Sequence, residues 1–217
     1  MNLPFTEHQF FEVFAAYNLA VWPAQFPLTV LAIVLAVLVI RAPERAGRAV
    51  AFGLALLWCW LALAYHLAFF WSINPAAPWF AGLSLAAGAA FAWMGAVRGC
   101  LRFERGMPAR KLAGLLVVVW ALAIYPAIGA AVGTRYPAAP TFGLPCPTTI
   151  FTFGMLLMAA PPLPKAVVLA PLVWAIIGSA AAFALGVIQD LSLVVMAALG
   201  LYLLLRAPAS TGRPSRP

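Results

Sequence analysis

The sequence predicts an all-α protein, a polytopic bundle of seven transmembrane helices preceded by an amphipathic interfacial helix. Composition is the first ground. Of 217 residues, 65% are hydrophobic and 8% charged, with mean hydropathy +1.02. Soluble domains of this size carry about a quarter charged residues, and their surface must still meet water. Apolar stretches of membrane length are the second ground, since a span needs roughly 20 such residues. The third is the placement of the basic side chains. Continuous Ala/Leu-rich stretches without two-residue alternation exclude a membrane barrel.

The elements follow in order. In "MNLPFTEHQFFEVFAAYNLAVWP", Thr6 and Gln9 have the spacing of a capping box. Phe10, Phe14 and Tyr17 then share one face of a helix. Glu7 and Glu12, with no Lys or Arg before them, do not fit a signal peptide. Residues 1–19 are therefore expected to lie at the outer interface and to enter the first span through "WPAQFP". The spans are expected near 20–41, 48–71, 79–98, 112–133, 148–163, 166–188 and 190–206, the fifth and seventh being short. "INPAA" closes the second, with Asn74 capping and Pro75 preventing continuation. The turn holding Gln189 and Asp190 reads as exposed, and the polar tail 207–217 as disordered. Short connections leave residues 1–206 as one helical domain.

Of 13 basic residues, 12 fall in alternate connections or the tail. Arg41, Arg45 and Arg48 form one group; Arg98, Arg102, Arg105, Arg110 and Lys111 another. Lys165, Arg206, Arg213 and Arg216 complete the set, and Arg135 stands alone on the other side. The positive-inside rule makes the basic side cytoplasmic, with the amino terminus outside. The net charge of +8 is this topology signal, reinforced by attraction to anionic lipid, and calls for no nucleic-acid partner.

Polar groups inside spans are costly enough to be candidates for function. Asn18, Tyr65, His66, Asn74, Cys146, Thr148 and Thr149 all fall toward the predicted outer side and would form one pocket. His66 offers a metal ligand, a proton carrier or an interhelical hydrogen bond. In "FGLPCPTTIFTFG", Pro147 suits a first helical turn, which places Cys146 near the N-cap with Thr148 and Thr149 able to satisfy free backbone donors. There the thiol meets the positive end of the helix dipole, which favours a reactive or metal-binding sulfur. The alternative is a small residue packed at a proline-stiffened helix start. Cys146 with His66 would suit a copper or zinc ion. The eight tryptophans read as interfacial belts and core packing rather than an aromatic cage. No C-x-x-C, H-E-x-x-H, P-loop or G-x-S-x-G pattern occurs, and only five acidic residues are available.

"LPFT…F…YNLAVWPAQ" at 3–25, "W…YHLAFFWSINPAA" at 60–77 and "FGLPCPTTIFTFG" at 142–154 together resemble the bacterial domain-of-unknown-function family 6064. The resemblance implies a small multi-pass protein of the bacterial inner membrane and transfers no catalytic or binding residue. Three functions remain open. The first is a small transporter, channel or ligand-binding membrane protein with an outer polar pocket. The second is a structural or accessory protein acting through helix–helix contacts, homo-oligomers included. The third is a thiol-based membrane enzyme centred on Cys146.

Overall fold

The computed structural model describes residues 4–206, and among them the regular structure is helical throughout. Helix α1 (Glu7–Ala20) leads into α2 (Gln25–Arg41) and α3 (Pro43–Trp60), which continues through a π-helical stretch, Leu61–Leu67. Helix α4 (Ala77–Ala90) also ends in a π stretch, Phe91–Val97. Helices α5 (Ala109–Val119) and α6 (Tyr125–Ala131) are joined by a third, Trp120–Ile124. Helices α7 (Pro145–Met158), α8 (Lys165–Leu185) and α9 (Ser192–Arg206) complete the bundle.

All seven expected segments are helical, but they are not equally long. Among the described residues, five segments are long and apolar enough to cross a membrane: Pro43–Ser72, Ala77–Val97, Ala109–Ala131, Lys165–Leu185 and Ile188–Leu205. A sixth requires α1 and α2 to be taken together across a bend of 88°. Helix α7 has 14 residues, about 21 Å at 1.5 Å per residue. That falls short of the roughly 30 Å of a hydrocarbon core. It is bounded by Pro145 at one end and by Pro161, Pro162 and Pro164 beyond the other. Every residue of α7 except Cys146 is buried. A helix that is apolar all round belongs inside a bundle, and α7 has protein rather than lipid on its sides. Its length need not match a bilayer.

Glycines let α7 reach its neighbour. A Cβ added to Gly154 would stand 2.8 Å from Val118 Cγ2 and 2.9 Å from the Gly114 carbonyl oxygen. One added to Gly114 would stand 2.6 Å from the Gly154 oxygen. Small residues thus bring two backbones close enough for dense packing, as membrane helices do. On another side Trp58 Nε1 donates to Thr152 Oγ1 at 3.1 Å, and Thr152 donates to the Thr148 carbonyl at 2.8 Å. The outward surface is apolar: Val30, Ile33, Val34 and Val37 on α2 and Leu112, Leu116 and Val119 on α5 are exposed. Trp22, Trp71, Trp79 and Trp93 also face outward, whereas Trp58 and Trp174 are core.

The amino-terminal helix follows its sequence pattern. Thr6 and Gln9 make the reciprocal capping box. Phe10, Phe14 and Tyr17 are buried while Glu7 and Glu12 are exposed. The aromatic face packs on Tyr65 and Phe70. Tyr17 Oη accepts from Trp60 Nε1 at 2.7 Å and donates to the Gly143 carbonyl at 3.2 Å, which ties α1 to α3 and to the start of α7.

The basic connections gather at one end. Arg45, Arg48, Arg98 and Arg102 line a single cleft there. Arg105 pairs with Glu44 at 2.9 Å and Arg110 with Glu104 at 3.5 Å. The expected tail, 207–217, lies outside the described residues.

Candidate functional site

At the other end a cavity of about 360 Å³ opens between α1, the end of α3, α4, α7 and α8. That volume is within the range of small-molecule sites, about 300–1,000 Å³. Seven aromatic side chains line it, Phe5, Phe10, Phe14, Tyr65, Phe70, Phe80 and Trp174, with aliphatic residues of α8 completing the wall. Its polar groups are Asn74, Cys146 and Asp190 beside the Tyr65 hydroxyl.

Asp190 is the chain's only aspartate. The sequence reading of Gln189 and Asp190 as an exposed turn is corrected, because they are 2% and 4% exposed. Gly186 causes the difference. It ends α8 in the left-handed conformation (φ +67°), and the Val187 N–H closes the turn on the Ala182 carbonyl at 3.1 Å. Glycine adopts that conformation without the Cβ penalty. The chain folds back into a short 3₁₀ turn, Ile188–Leu191, which carries Asp190 inward.

Both carboxylate oxygens are engaged. Tyr125 donates its hydroxyl to Asp190 Oδ1 in a short hydrogen bond, and Cys146 Sγ donates to Oδ2 at 3.3 Å. Tyr125 directly follows the π stretch Trp120–Ile124, and Tyr65 lies within the π stretch Leu61–Leu67. Such irregular turns re-aim side chains and recur at functional sites.

The expected pocket residues separate into two groups. Tyr65, Asn74 and Cys146 line the cavity. Asn74 also accepts the Ala76 N–H at 2.9 Å, which turns the chain into α4. Asn18 is fully buried outside the cavity, where it holds the connection before α7. Thr148 and Thr149 are buried with no partner for either hydroxyl among the described residues, so neither caps the helix. The caps are unnecessary. Helix α7 is capped at Leu144, two residues before the expected cap at Cys146, with Pro145 and Pro147 both in its first turn, and two donors that would need capping are absent.

His66 lies behind the cavity wall. Its ring packs on Trp174 at 4.9 Å and Phe80 at 6.0 Å between centroids, and neither nitrogen has a partner among the described residues. The copper or zinc ion expected between Cys146 and His66 gains nothing from this geometry. Cys146 is turned to Asp190, and no group of three or more His, Cys, Asp or Glu is placed to hold a metal among the described residues. Cys59, Cys100 and Cys146 are free thiols. Because a buried polar group without a partner costs about 1–3 kcal/mol, His66→Leu should leave the protein as stable as before or more so. Thermal unfolding in neutral detergent checks this, and a clear loss of stability would show an interaction beyond ring packing.

Sequence reasoning missed Asp190, Tyr125 and the aromatic wall. The available signal was a lone aspartate between two apolar segments, a costly residue at such a position.

The fold and the site define a class: a helical bundle with helices of membrane-crossing length around an aromatic cavity that contains a buried carboxylate. The chain belongs to a family of unknown function, DUF6064, matched over residues 7–214. No curated protein and no solved structure matches it.

Proposed function

We propose that the protein is a multi-pass protein of the bacterial inner membrane that binds a small ligand in this cavity, as a transporter or ligand-binding membrane protein does. One observation carries the reading: a cavity of about 360 Å³ brings Tyr65, Asn74, Cys146 and Asp190 together from four separate segments. Bundle cores that only pack have no need of a buried carboxylate. Polar groups at such positions in membrane proteins mark ligand and ion paths. The bilayer supplies the surroundings that the apolar outer surface requires.

Ala181 of α8 lines the cavity, so Ala181→Trp should fill it from the side without touching Asp190. Native mass spectrometry of the purified protein should find a bound small molecule in the wild type and lose it in the variant. Equal retention by both, or no bound species in either, would overturn the reading.

The basic end is the cytoplasmic side in this proposal, and the cavity faces outward. A reporter fused after Arg206 should then report the cytoplasm, and one inserted within residues 134–144 the outer compartment. The reverse pattern would put the cavity on the inner side.

A further inference from the structure

We infer that the cavity takes an organic cation, a protonated alkylamine or its quaternary relative. Its charged head lies against the Asp190 carboxylate and its apolar tail among the aromatic rings. The inference rests on the ligand-binding reading above and adds the charge of the ligand.

The first ground is the state of Asp190. An ionised carboxylate is acceptor-only and has about four lone-pair sites. Here each oxygen receives one donor, a phenol on Oδ1 and a thiol on Oδ2. Two neutral donors orient the group and leave it room to accept more. They do not neutralise it. Among the described residues no Lys, Arg or His forms an ion pair with Asp190. A buried charge is costly unless a partner of opposite sign meets it, and the cavity beside it is where such a partner can enter.

The second ground is independent of the carboxylate. Phe10, Phe14, Phe70, Phe80, Tyr65 and Trp174 contribute rings to the same wall. Ring faces carry negative potential and attract ammonium groups, more strongly where water is excluded. An anion would meet both the rings and Asp190 with repulsion. A neutral ligand would gain the apolar contacts alone. No Lys or Arg is among the residues that line this wall, and Arg45, Arg48, Arg98 and Arg102 gather in the cleft at the opposite end.

Three probes of one size separate the possibilities: hexylammonium, hexan-1-ol and hexanoate. They are titrated at neutral pH into the full-length protein in a neutral maltoside detergent, with calorimetry as readout. Hexylammonium should bind at least about tenfold more tightly than hexanol, and hexanoate more weakly than either. In Asp190→Asn the preference for the amine over the alcohol should shrink to about twofold or less, with hexanol binding retained. The wild-type comparison needs no variant, so a misfolded Asp190→Asn leaves the test intact. Equal binding of amine and alcohol, or a preference for hexanoate, overturns the cation and leaves the cavity reading standing. Binding of none of the three overturns both.

Discussion

Gly154→Leu should abolish accumulation of the folded protein. Position 154 has no room for even one added carbon, since a Cβ there would already press on Val118 Cγ2 at 2.8 Å, the Gly114 oxygen at 2.9 Å and the Val118 nitrogen at 3.0 Å. Two of those three atoms are backbone and cannot rotate away. Overpacking a dense core usually costs about 1–3 kcal/mol, and a rigid backbone obstacle pushes the figure to the top of that range or beyond. The damage is not local either. Helix α7 is buried on nearly every side, so moving it off α5 also disturbs the Trp58–Thr152 bond and shifts Cys146 relative to Asp190. Gly154→Ala should be milder but still destabilising, and Gly82→Ala, where an added Cβ meets nothing within 4 Å, is the neutral control. Size-exclusion profiles and thermal unfolding of the three variants provide the check. A monodisperse Gly154→Leu with wild-type stability would refute the close α5–α7 approach.

The second large effect is expected at Asn18. Its Nδ2 donates to the carbonyls of Pro137 and Ala139 at 2.6 and 2.8 Å, and its Oδ1 accepts from Thr141 Oγ1 at 2.6 Å. Its backbone carbonyl accepts from Gln25 Nε2 at 2.8 Å. One amide thus fastens the whole connection between α6 and α7 to the α1–α2 bend. Asn18→Leu removes the side-chain partner of three groups at once. A fully buried polar group left unpaired costs about 1–3 kcal/mol. Pro137, Ala139 and Thr141 are half-buried, so each contributes toward the lower end and a total of about 2–3 kcal/mol is expected. Asn18→Asp keeps the acceptor for Thr141 but sets negative charge against two carbonyls, and should do no better. Proteolysis should then cut within residues 134–144 faster in the variant than in the wild type. Unchanged cleavage and unchanged unfolding temperature in Asn18→Leu would show that the connection is held by other contacts.

Asn18 also shows where reading by residue type stops. Its chemistry, a polar group near the end of an apolar segment, was apparent, and so was its nearness to one end of the bundle. Whether it faces a cavity or saturates itself on carbonyls more than a hundred positions away depends on how a loop returns. The partners at Pro137 and Ala139 are 119 and 121 residues distant. Cys146 repeats the lesson. Its prolines announce a helix start, and one is found there, but its sulfur meets Asp190 rather than His66. His66, read as a possible ligand, stands among rings that no spacing rule connects.

By itself the sequence determined everything that depends on local composition and short period. That includes the helical class, the position of each apolar segment, the amphipathic first helix with its capping box, and the grouping of basic residues in alternate connections. These follow from the burial of apolar surface and from hydrogen bonds that close within four residues, so neighbours in sequence suffice to specify them. Only the tertiary structure decided that the short α7 is central and buried, that two glycines seat it against α5, and that Tyr125, Cys146 and Asp190 meet beside an aromatic cavity. Those contacts join residues 44 and 65 positions apart in the chain. They exist because one left-handed glycine turns a predicted surface loop inward, and because packing selects which of several apolar faces oppose one another.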